Sequence, residues 1–294
     1  MELKKKIPYK RASNKSKVII NADDFGITKG VNKAIYELFG VGILTSTSVM
    51  SNMPDYKDIV NLKDRIGIGV HFNLTVGTPI TEPYKIPTLV DERGNFFDLS
   101  RLLRKTKLGK VSRQEIEIEL DAQIKRLIDI EIQPDHVDSH ESLLKYPFFS
   151  GIIKRLAKKY GIMAVRTYSP RKFDYTRLLS PKKFMISLYL AFNKLLWKLD
   201  GFHVTDKYDS LIKVGLVHKT ALERLNDIFR NLPHGVLELV VHPGYCDGNN
   251  NPLGEYVYER EVELQALLSD EFKKIILNSG ARLISFKDIP INTL

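Results

Sequence analysis

A chain of 294 residues, 43% of them hydrophobic, is long enough to bury an extensive core and too apolar to be disordered. Its single cysteine, Cys246, excludes an intramolecular disulfide and a cysteine-rich zinc site, which leaves histidine and carboxylate as metal ligands. The formal charge of +10 raises nucleic acid as a partner, but residues 1–17 carry seven basic groups against Glu2, residues 171–207 carry eight against three acids, and no nucleic-acid motif accompanies either patch.

Residues 1–17 read as a basic, disordered tail, and residues 18–294 as one domain with an aromatic and basic insertion at about 171–215. The tail is polar where a leader peptide would be apolar. No run in the chain reaches the roughly eighteen apolar residues of a membrane span, so the sequence predicts a cytoplasmic protein.

From residue 18 the run V-I-I-N-A-D-D-F-G is a short buried strand that stops at two carboxylates, Asp23 and Asp24. Strand ends are where catalytic groups stand in α/β folds. Successive side chains leave a strand in different directions, so one carboxylate can serve as a base and the other as a metal ligand. An isolated Asp-Asp pair is more often an Asx turn and a helix cap, so the other strand ends decide the matter. A helix follows at 28–41, where Val31, Ala34, Ile35, Leu38 and Phe39 recur at three and four. A strand at 43–50, a short helix at 54–62 and a strand at 66–74 carrying His71 come next. Residues 75–98, with Pro79, Pro83, Pro87 and Gly94, form a long loop of the kind usually retained for function.

Ile116, Leu120, Ile124 and Leu127 mark an amphipathic helix over 112–130. If residues 136–140 are extended, His136, Asp138 and His140 share one face. A helix at 148–160 leads to a strand at 163–167 that holds Arg166. The segment 178–202 mixes Phe184, Leu188, Phe192 and Trp197 with lysines at 182, 183, 194 and 198, too short and too charged to span a bilayer. Core, lid, dimer contact and interfacial anchor are all open for it. A lid or core helix ranks ahead of the anchor, because interfacial helices segregate their faces more sharply. A helix at 220–231, a strand at 237–241 ending in His242, a helix at 261–278 and a strand at 281–285 complete the chain. The alternation predicts a parallel α/β fold, either a barrel or an open doubly wound sheet.

In a parallel sheet all strand C-termini lie on one side, so Asp23, Asp24, His71, His140 and His242 converge without a local motif. Two neutral imidazoles and a carboxylate leave positions open for water and substrate. Asp24, His71 and His140 are therefore the expected ligands of one divalent metal, with Mg²⁺, Mn²⁺ and Zn²⁺ all compatible.

Five ordered motifs add a resemblance: N-A-D-D-F-G at 21–26, T-S-T at 45–47, G-V-H-F-N-L-T at 69–75, H-V-D-S-H at 136–140 and H-P-G-Y at 242–245. Together they resemble the YdjC-type carbohydrate deacetylases, including the chitooligosaccharide deacetylases, over about residues 18–290. The resemblance implies a distorted (β/α) TIM-like barrel and metal-dependent removal of N-acetyl groups from an amino sugar, oligosaccharide or glycolipid, with release of acetate. By matching positions it implies Asp24, His71 and His140 as ligands, Asp23 as the base, and Mg²⁺ as the ion. The sequence departs from the pattern after His140, where Glu141, Ser142, Leu143 and Leu144 replace the further histidines of chitooligosaccharide members.

On this reading Asp23 accepts a proton from water, His242 as imidazolium protonates the departing amine, and Arg166 orients Asp23 or binds substrate. Asn73, Tyr245 and Asp247 are the expected sugar contacts. The expected partners are an N-acetylated sugar, a second copy in a homodimer, and a membrane surface met peripherally through 178–202. A reading of a different class is a catalytically inactive basic protein that binds polyanions or a membrane surface through residues 1–17 and 178–202.

Overall fold

β1 (Lys17–Phe25) is buried on both faces, which is why the opening apolar run shows no solvent side. Val18, Ile20 and Ala22 pack into the main core with the helices, whereas Ile19 joins a second cluster with Ala164, Val236 and Phe286. Asn21 and Asp23, on the same face as Ile19, meet polar partners instead. The inner side of the sheet therefore passes from an apolar floor to a polar mouth along a single strand.

The computed structural model of the protein describes residues 16–168, 180–211, 213, 215–246 and 257–289. The expected tail lies outside the described residues up to position 15, as does Asp247. The described strands after β1 are β2 (Ser46–Val49), β3 (Gly67–Phe72), β4 (His136–Ser139), β5 (Ala164–Val165), β6 (His203–Val204), β7 (Lys207–Ser210), β8 (Val236–Val241) and β9 (Arg282–Leu283). They pair in the order β6-β5-β4-β3-β2-β1-β8-β7, every pair parallel, with β9 beside the start of β1. Only Thr205 and Asp206 separate β6, which pairs with β5, from β7, which pairs with β8. One stretch of chain, 203–210, thus joins the two edges and curls the sheet into a distorted TIM-like (β/α) barrel.

Helices alternate with the strands on the outside: α1 (Lys29–Gly40), α2 (Leu99–Lys107), α3 (Arg113–Ile128), α4 (Pro147–Lys159), α5 (Pro181–Leu199), α6 (His218–Arg230), α7 (Val257–Leu268) and α8 (Asp270–Ser279). Thr28 caps α1 by accepting from the Val31 N–H, and Ser112 caps α3 through Glu115. Two helical regions differ from the sequence expectation, as do β6 and β7, which it did not foresee. The helix expected at 261–278 is two, because Ser269 accepts from the Phe272 N–H and starts a new helix. Within the expected loop region Asp98 caps the unforeseen α2 by accepting from Arg101.

The loop after β3 is pinned from within. Glu119 on α3 accepts from the N–H groups of Ile80 and Thr81, and Asn52 donates to the carbonyls of Val76 and Thr78. Gly26 ends β1 at φ +96°, and an added Cβ would stand 2.9 Å from Tyr56 Cα, so both conformation and space require glycine there.

Candidate active site

A bulge sets Asp24 beside Asp23. Ala22 pairs with Thr47 and Phe25 with Val49, so three steps on β1 oppose two on β2. Asp24 itself adopts φ +67°, a left-handed conformation that aspartate tolerates better than most residues. In a straight strand its side chain would face the helices as Ala22 does. The bulge returns it to the mouth, where Oδ1 lies 3.1 Å from His140 Nδ1 and 3.3 Å from His71 Nε2. Arg260 on α7 holds the other oxygen, Oδ2, at 2.6 Å. Burial alone would raise the Asp24 pKa, but Arg260 and His140 outweigh it and keep the carboxyl well below the usual range.

His71 leaves the end of β3 with its Nδ1 2.8 Å from Asp138 Oδ1. Asp138 in turn accepts from Ser48 at 2.7 Å and pairs with Arg166 at 2.7 Å. Burial pulls His71 down, yet the Asp138 and Asp23 carboxylates prevail and raise its pKa to about 10. The cluster therefore calls for positive charge at this point. The Asp138 contact also fixes the ring, with Nδ1–H donated, so Nε2 must give up its proton to offer its lone pair to a metal beside Asp24.

Ligand atoms of Asp24, His71 and His140 lie within 4.8 Å of one another, and so do those of Asp23, His71 and Asp138. Only the first group suits a metal, because Arg166 already pairs with both carboxylates of the second. Arg166 is the hub of the layer below: Nη1 and Nη2 grip the two oxygens of Asp23 at 2.6 Å each, and Nε reaches Glu238 at 2.6 Å. Burial would lower its pKa, but Asp138, Asp23 and Glu238 raise it, and the guanidinium stays charged. Arg166, expected either to orient Asp23 or to bind substrate, is thus placed against Asp23 in a two-point fork.

His242 follows β8 and points Nε2 at Asp23 Oδ2 from 3.7 Å. Its side chain is 20% exposed and that of His140 17%, against 1–3% for Asp23, Asp24 and His71, so the cluster opens to solvent past these two rings. Burial draws the His242 pKa down to about 4 despite Asp23 and Asp24, which favours the neutral ring.

Of the expected sugar contacts, Asn73 is fully buried and spends its amide on the adjacent loop, donating to Val76 O and Asn52 and accepting from the Thr75 and Val76 N–H groups. Tyr245 donates to Glu37 at 2.7 Å and lies beneath Lys33, against α1. After His140, Glu141 and Ser142 both take left-handed conformations, so the departure from the family pattern coincides with a tight turn at the mouth. A cavity of about 600 Å³ lined by Ile68, Asp135, His203 and Phe286 lies at the opposite end of the barrel and takes none of these groups.

The YdjC-like protein family matches residues 17–278. The chain belongs to the YdjC-like family. A relative named carbohydrate deacetylase from Thermoanaerobacter pseudethanolicus is 30% identical over 92% of this chain and 97% of its own. Another of that name from Clostridium beijerinckii is 29% identical over 93% of this chain and all of its own. A crystal structure from Enterococcus faecalis, of a protein named for cellobiose-phosphate cleavage, superposes with a TM-score of 0.76 at 27% identity, covering 93% of this chain and 98% of that one.

Several groups at this YdjC-like site gave no sequence signal. Glu238 sits within the apolar β8, V-L-E-L-V-V, and only the inward period of two marks it. Arg260 and Glu263 on α7 look like any solvated charges in Y-E-R-E-V-E, yet both are buried. Burial raises the Glu263 pKa to about 8, against the lowering pull of the His242 backbone N–H and of Arg260. Its neutral form is favoured by folding, so stability falls as pH rises from about 4.5 to about 8 and levels off above. Glu263→Gln cannot ionise. Thermal melts at pH 5 and pH 8 are expected to show the variant gaining on the parent by several degrees at the higher pH, and an unchanged difference refutes the buried neutral acid.

Proposed function

We propose that the protein is a carbohydrate deacetylase that hydrolyses the N-acetyl group of an amino sugar, using one divalent metal ion held by Asp24, His71 and His140. The convergence of these three donors at the barrel mouth is the observation that carries the reading. The relatives named carbohydrate deacetylase, aligned over nearly the whole chain, give it the substrate class. Two imidazoles and one carboxylate, with His71 steadied by Asp138, fit the donor set of a hydrolytic metal site. When bound, such an ion polarises the acetyl carbonyl and lowers the pKa of a water.

The remaining work falls to the protein's own groups. Arg166 fixes Asp23 so that Oδ2 faces the cluster, 4.0 Å from His71 Nε2 and 3.7 Å from His242 Nε2. Asp23 Oδ2 accepts the proton of the attacking water as its oxygen bonds to the acetyl carbon. His242 rests neutral, so its Nε2 must gain a proton before giving one up, and Asp23 is placed to supply it. When the carbon–nitrogen bond breaks, that proton goes to the leaving nitrogen, and acetate and a free amino sugar remain. Burial favours this transfer, because an imidazolium with its pKa near 4 is a strong acid.

Acetate release from a panel of N-acetylated sugars tests the reading, first with chelator and then with Mg²⁺, Mn²⁺ or Zn²⁺ restored singly. Release is expected only after metal is returned, with Mg²⁺ the ion the family resemblance favours. Undiminished release in chelator, or none from any acetylated sugar with every metal, overturns it.

A further inference from the structure

α5 (Pro181–Leu199) crosses over between β5 and β6 on the outside of the barrel and turns its apolar side away from it. Its inner face is anchored by Trp197, which is buried against Phe202 beneath Lys154. At about 100° per residue, Phe184, Met185, Leu188, Phe192, Leu195 and Leu199 share an arc of about 100°. These six are between 45% and 60% exposed. Lys182 and Lys198 lie about 60° and about 40° beyond the two edges of the arc, and the helix contains no acidic residue. The exposed Leu196 and Ile186 lie about 20° and about 100° beyond the Met185 edge, so the apolar side is broader than these six and reaches past Lys182.

We propose that α5 lies on an anionic lipid surface, its outward arc among the acyl chains and its lysines at the headgroups. Charge complementarity selects this occupant. Lys182 and Lys198 flank the arc and the helix holds no acid, so an anionic surface attracts the face, whereas a second copy would set lysine against lysine with no carboxylate of the helix between them. Size agrees. A strip about 28 Å long and about 10 Å wide is roughly 300 Å², well short of the about 800 Å² per partner of a stable protein interface. No helix among the described residues is long and apolar enough to cross a membrane, so the contact is one of lying on the surface. The inference is independent of the deacetylase reading.

Flotation of the full chain with phosphatidylcholine vesicles, with and without phosphatidylglycerol, tests it, and size-exclusion chromatography with light scattering reports the oligomer. Binding is expected only with phosphatidylglycerol, and rising salt should weaken it. The Leu188→Asp/Phe192→Asp and Lys182→Glu/Lys198→Glu variants should each bind at least tenfold more weakly, with unchanged melting and unchanged turnover of a soluble substrate. Absent binding, equal binding to neutral vesicles, or a dimer that Leu188→Asp/Phe192→Asp dissociates while vesicle binding stays intact would each overturn the proposal.

Discussion

Arg166→Met is expected to abolish the cooperative thermal transition near neutral pH, and Arg166→Lys to lower the melting temperature without abolishing it. The guanidinium is 2% exposed and neutralises Asp23, Asp138 and Glu238 together. Removing one partner of a buried pair costs about 3–5 kcal/mol, and here one substitution strands three carboxylates in a protein whose total stability is about 5–15 kcal/mol. Lysine keeps the charge but cannot span three acceptors with a planar fork. The pH dependence supplies a second readout. In the parent, Arg166 and His71 hold the Asp138 pKa down against burial, so that stability is present at neutral pH and is lost as pH falls. Without Arg166 burial dominates, the carboxylates prefer their protons, and residual stability grows as pH falls. Calorimetry at pH 5 and pH 8 reads the variant's slope, because the parent's Asp138 contribution is lost only below the ordinary carboxylate value of 3.8 and is constant over that window. A methionine variant that melts within a few degrees of the parent at both would show that Arg166 is not the electrostatic centre of the barrel.

The legible part of this molecule is what periodicity encodes. Alternating apolar runs and three-four spacings place the strands and most of the helices, and polar residues at strand ends lead to Asp24, His71 and His140 because a parallel sheet gathers those ends. The illegible part is whatever depends on contacts across the barrel. Nothing in N-A-D-D-F-G reveals that a bulge and a left-handed Asp24 turn adjacent carboxylates toward one point. β6 has only two residues, and it and β7 are recognisable as strands only through their partners β5 and β8. Arg260 and Glu263 occupy positions of a charged helix, and only the tertiary packing buries them. His242 was identifiable as a strand-end histidine, but its neutral state depends on a burial no local pattern records.

Asp23→Asn and Asp24→Asn are expected to fail in different ways although the residues are neighbours. Asp24 Oδ1 is the oxygen shared by His71 and His140, so its loss should abolish tight metal binding in a calorimetric titration and acetate release with it. Asp23 faces the same enclosure but is committed to Arg166, and its loss should leave metal binding within a few-fold of the parent. Turnover should still fall about 10²–10⁴-fold, the usual contribution of a general base. The fall should appear in kcat with KM little changed, because proton acceptance stabilises the transition state and not the bound sugar. Asp23→Asn also removes one charge from the Arg166 fork, so its melting temperature should drop, and rates must be compared where both proteins are folded. Were Asp23 a metal ligand, the titration would fail for both variants. If Asp24 were only a helix-capping turn residue, Asp24→Asn would bind metal as the parent does.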